Sequence, residues 1–180
     1  MKTVLAPALC LTITLAISLA LATEKEQPIA NSSDNASPAA VEQARETVAM
    51  LDNIYKQVIV LITDKYVHDT DDFAAGSAAV LLFKNISENG SHTVRLIDAT
   101  GEPYNPDNIA GDDFEREALK QIKAGKQTYD QVEAKDGKQF LRSMTPVPVV
   151  MERCIMCHDH YGDVEKGEPI GAISYTIPLE

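Results

Sequence analysis

Cys154-Ile155-Met156-Cys157-His158 forms a C-x-x-C-H run late in a chain of 180 residues. Two thiols separated by two residues can each add to one vinyl group of a haem. The adjacent imidazole can then bind the iron from one face, so the run reads as c-type haem attachment. Cys154 and Cys157 are the expected thioether residues and His158 the expected proximal ligand. Two other chemistries would use the same side chains. A redox C-x-x-C is expected at a helix start near a βαβ pattern, whereas this one stands between a proline-containing, strand-like segment and a Gly/Asp loop. A zinc site could draw on Cys154, Cys157, His158 and His160, but one residue between two histidines is tighter than the usual spacing of three to five.

The start of the chain bears on the same question. Lys2 is followed by an uncharged apolar run from Val4 to Ala22 that closes with Ala20-Leu21-Ala22. This is the pattern of a secretory signal over residues 1–22, cleaved before Thr23. Covalent haem attachment in bacteria follows export, so both ends agree on a periplasmic protein with no stable membrane insertion after cleavage. An uncleaved signal anchor is the alternative. Cys10 leaves with the signal, and Leu9 before it does not suit a lipoprotein cleavage box. The cysteines that remain are the two of the motif, so no disulfide is expected.

Acidic residues outnumber basic ones by 27 to 16, for a net charge of -11. That balance argues against nucleic acid and anionic membrane as partners. It suits a basic redox partner protein, although acidity also serves solubility. No Ser/His/Asp or paired-carboxylate set stands out, so an electron carrier or sensor is expected rather than an enzyme.

Residues 23–39 are polar, small and proline-containing, and read as a disordered linker. From Ala40, the positions Ala44, Val48, Leu51, Tyr55, Val58 and Ile62 recur at three- and four-residue steps, which predicts an amphipathic helix to about Tyr66. Its β-branched end, Val58 to Ile62, leaves some strand ambiguity. Ser77 is the expected cap of a second helix, Ala78 to about Ile86, ended by Asn89-Gly90. Thr93 to Asp98 reads as a strand, and Thr100 to Asn108 is dense in turn residues. Asp112 with Glu115 forms a capping box for a helix over Asp113 to Ala124, stopped by Gly125. Two strands follow, Thr128 to Ala134 and Phe140 to Thr145, with a hairpin signal at Asp136-Gly137. After the motif loop, Ile170 to Ile177 closes a single domain over 40–180. Few crossover helices separate the later strands, so the sheet should be antiparallel and the class α+β.

Several segments in this order carry a family likeness. They are Arg95-Leu96-Ile97-Asp98, Tyr104-Asn105-Pro106-Asp107-Asn108, Phe114-Glu115-Arg116-Glu117-Ala118, Leu141-Arg142 with Thr145-Pro146-Val147, the motif itself, and Gly171-Ala172-Ile173-Ser174. Together they resemble the exported single-haem proteins with a PAS-like haem domain, long catalogued as a domain of unknown function. The resemblance implies one covalent haem c, held between a PAS-like sheet and the N-terminal helical region. It also implies the role of a small cytochrome or of a haem sensor. The resemblance also implies that some relatives offer a further Cys from the helical half as second iron ligand; the mature chain has none there.

Other ligands must therefore be considered. His68, after the long helix, and His92, before the first strand, are candidates for the distal iron position, each with a surface imidazole as the alternative. His160 is too close to His158 to reach the opposite face easily. Met50, Met144 and Met151 could supply a thioether, with core packing as the alternative. Arg95 and Arg142 could pair with haem propionates, or with the abundant acidic residues on the strand surface. The expected role is one-electron transfer by a carrier. A redox or gas sensor with a small gas as ligand is the rival, and the absence of an output module after Glu180 favours the carrier.

Overall fold

Ser37 accepts a hydrogen bond from the Ala40 amide at 3.1 Å and Pro38 occupies the first helical position, which together start α1, Pro38–Tyr66. The cap moves the start two residues back into the segment read as linker. The run Val58 to Ile62 is helical throughout, because it continues a helix already committed to packing through Ala44, Val48 and Tyr55. This computed structural model describes residues 36–69, 73–156, 159–164 and 167–179. The signal expected over 1–22, the linker up to residue 35, Cys157 and His158 lie outside the described residues.

The second helix, α2, is Ala75–Asn89 and its N-cap position is Ala74, so Ser77 lies inside the first turn instead of capping it. Its other end follows the sequence: the Gly90 amide donates to the Ile86 carbonyl. β1, Thr93–Asp98, leads through a short 3-10 turn at Pro106–Asn108 to α3, Asp113–Lys123. Asp112 caps α3 by accepting from the Glu115 amide at 2.8 Å. The capping box is not reciprocal, because the Glu115 carboxylate accepts from Gly111 at 2.7 Å. β2, Tyr129–Lys135, and β3, Lys138–Pro148, form a hairpin. Asp136 and Gly137 both have left-handed φ, 52° and 73°, as a two-residue hairpin turn requires. A one-turn helix α4, Arg153–Met156, and a 3-10 turn at Asp159–Asp163 precede β4, Pro169–Leu179.

The four strands form one antiparallel sheet in the order β1-β4-β3-β2. β3 runs three residues past the expected Thr145. Its last partner on β2 is at Met144, so Pro146 falls where β3 keeps only β4 as a neighbour and its missing N–H costs no ladder bond. The sheet is covered on both faces. Val94, Leu141, Ile173, Tyr175 and Ile177 pack against Ala44, Val48 and Tyr55 of α1 and Ala79 and Phe83 of α2. The alternate residues Ile97, Met144 and Ala172 pack against Phe114, Ala118 and Ile122 of α3. The result is the PAS-like α+β arrangement, with the long helix in front of the sheet and the motif loop late in the chain. No helix among the described residues is long and apolar enough to cross a membrane.

Candidate functional site

On the α1/α2 face of the sheet lies a cavity of about 470 Å³, within the range of about 300–1,000 Å³ usual for cofactor sites. α1 contributes Ile59, Val60, Thr63 and Val67 to its wall, and the sheet contributes Leu96 and Val147. The first turns of α2 come close without filling it, because Ala75, Gly76 and Ala79 carry little or no side chain. Phe73, Leu81, Tyr104 and Val150 stand around the rim and are 54% to 68% exposed. Large apolar side chains around a concave apolar wall mark a binding surface. A flat apolar group of cofactor size seated there would cover them.

The motif loop forms part of the same wall. Cys154, the described member of the three motif residues, lines the cavity. Next to it Arg153 donates to the Asp64 carbonyl and pairs with that residue's carboxylate at 3.7 Å, which fastens α4 to the end of α1. Tyr161 also lines the wall; burial, with Asp98 nearby, pushes its hydroxyl up to about 12, so it keeps its proton at neutral pH. The basic side chains of the described wall are Arg153 and Lys56. Lys56 is held by Asp52 at 2.8 Å, and Asp52 in turn accepts from Thr145 and, at 3.0 Å, from the fully buried Tyr175. These two cations were not singled out from the sequence. Arg153, directly before Cys154, was the one that could have been.

Arg95 and Arg142 are placed on the other face. Strand alternation turns them away from Val94, Leu96 and Leu141 and toward α3. Arg95 pairs with buried Glu115 at 2.7 Å and donates to the carbonyls of Asp107 and Ile109. Arg142 bonds Asp112 at 2.9 Å and Glu133 at 3.2 Å, with its guanidinium 4.4 Å over the Phe114 ring. Of the two roles weighed for these arginines, the structure has the internal ion pairs; neither lines the cavity.

The expected distal histidines are also off the wall. His68 is exposed beyond the end of α1. His92 sits with its Nε2 2.9 Å from the Tyr55 hydroxyl, its ring stacked on Tyr55. His160 lies edge-on to Tyr104 and Tyr161. Met50 is 56% exposed on α1, Met144 is fully buried on the α3 side, and Met151 lines the cavity.

Burial lowers the basicity of the His92 imidazole. An imidazole whose folded value lies below its unfolded value of about 6.5 contributes stability above that pH and loses it as pH falls. His92→Gln is expected to flatten the loss of stability between about pH 7 and pH 5, followed as the thermal midpoint at each pH. A parallel slope in the wild type and the variant would contradict it.

A family model described as Tll0287-like matches residues 31–178. Among solved structures, the crystal structure of the cyanobacterial haem protein Tll0287 aligns with a TM-score of 0.60, covering 81% of this chain and 98% of that one at 17% identity. That likeness establishes the shared fold. No curated protein matches.

Proposed function

Because this chain belongs to the Tll0287-like family, we propose that it is a haem protein, carrying one covalent haem c in the cavity between the sheet and α1/α2. Cys154 and Cys157 are the thioether residues and His158 the proximal ligand. The observation that carries the reading is the position of Cys154 on the wall of an apolar cavity of cofactor size with an apolar rim. The solved relative being a haem protein supports it.

When bound, the haem supplies a one-electron iron couple. The chain does the rest. Ile59, Val60, Leu96 and Val147 exclude water, and a dry wall favours the iron state of lower charge. Lys56 and Arg153 are the wall's cations for the cofactor's acid groups, each already steadied by a carboxylate of α1. The protein works in the periplasm, after its signal is removed, and exchanges electrons with a basic protein partner without catalysing a reaction of its own. A sensor is the second reading, favoured by the lack of a strong iron ligand on the described α1 and α2 wall. Redox titration followed by visible absorption tests the first role: a reversible one-electron couple is expected, and an irreversible one would remove the carrier.

A further inference from the structure

We infer that the two loops beside the cavity, residues 98–109 and 150–154, are the docking surface for the electron-exchange partner, a protein presenting lysines around an apolar patch; the inference rests on the carrier reading above. Both loops line the same cavity, one through Pro103, Tyr104 and Asn108, the other through Val150, Met151 and Cys154. Their carboxylates stand beside the wall. Glu102 precedes Pro103, Asp107 precedes Asn108 and Glu152 follows Met151, and all three are exposed. Asp98 is itself part of the wall. The same loops hold three large side chains with apolar surface, Tyr104, Ile109 and Val150, which are 57% to 68% exposed. A cofactor in the cavity meets such side chains from within, a partner from outside. An apolar centre with a charged surround is the ordinary build of a protein interface.

Charge selects the kind of partner. The wall's cations already lie against carboxylates, Arg153 against Asp64 at 3.7 Å and Lys56 against Asp52 at 2.8 Å, so they do not cancel the acids of the loops. The opposite side of the molecule carries exposed basic residues. Arg116, Lys120, Lys123 and Lys126 lie on and just after α3, which covers the other face of the sheet, and the acids Asp113 and Glu117 there are paired with Arg116 and Lys120. Lys135 and Lys138 flank the hairpin turn, where β3 begins; the strand meets the cavity only near its far end, at Val147. Acid at the cavity and base behind it turn a positively charged partner toward the loops and away from α3, which speeds encounter and sets orientation. Electron exchange falls steeply with distance, so docking beside the cofactor's cavity is where such an encounter is productive.

Binding of mitochondrial cytochrome c, a lysine-rich protein, to the isotopically labelled holoprotein tests this, followed in the amide spectrum at low and high salt. Shifts are expected in residues 98–109 and 150–154, and they should fade as salt screens the charges. Glu102→Lys with Glu152→Lys is expected to weaken binding by about tenfold or more. Asp113→Lys with Glu117→Lys changes the net charge by the same amount on α3, and is expected to weaken it by less than about threefold. Equal weakening by the two pairs, or shifts centred on α3 and the hairpin turn, would overturn the inference, since net charge and not the loops would then attract the partner. Absence of binding at low salt would overturn it as well. An irreversible couple fails the carrier reading instead, and the couple is measured without any partner, so the two failures are told apart.

Discussion

Replacing Cys154 and Cys157 together with alanine is expected to take covalent haem from one per chain to none. On the proposed reading the two thioether bonds are the attachment, and the third cysteine of the sequence, Cys10, lies in the segment expected to leave with the signal. Each single variant keeps one thiol and one bond, and should retain haem at reduced yield. His158 remains in the double variant, but a single imidazole holds the group only by coordination, and denaturation releases it. Peroxidase staining of denaturing gels reads the result directly: a stained wild-type band and an unstained double-variant band. A stained double variant would place the attachment on other atoms.

Glu115→Ala is expected to destabilise the fold by about 2–3 kcal/mol, somewhat below the about 3–5 kcal/mol typical when one partner of a fully buried pair is removed. The carboxylate is 1% exposed and holds the Arg95 guanidinium and the Gly111 amide, each at 2.7 Å. The discount reflects Arg95, whose side chain is 43% exposed and can recover water. Haem content should stay at one per chain, since this network lies on the α3 face. Denaturant midpoints and the haem-to-protein ratio check both halves. A variant of normal stability with an altered haem spectrum would return Arg95 and Arg142 to the cofactor.

Local signals were legible wherever the chain's own chemistry decides the outcome. Thr93 to Asp98 alternates and forms β1 with those bounds, and Asp136-Gly137 makes its hairpin because both residues tolerate left-handed φ. Ends set by neighbours were not legible. β3 runs on through Pro146 because its pairing with β2 has already ended at Met144, a fact about pairing that no single strand contains. α2 starts at Ala75 although Ser77 is the better cap on composition. The arginines show the same limit from another side. Arg95 lies between Val94 and Leu96, and period two alone puts it on the opposite face from them. Which face holds the cavity became clear only once α1 and α2 were placed. Nothing in the sequence sets Lys56 and Asp52 apart, and only the packing of α1 on the sheet brings Asp52 to Thr145 and Tyr175.

The most direct test of the account is the intact mass of the exported protein, made with a haem-attachment system and extracted with acid acetone. The expected result is a chain beginning near Thr23 with the mass of one haem added, and colour that stays with the protein. A chain of bare polypeptide mass, with its haem in the organic layer or with zinc bound in its place, would contradict it.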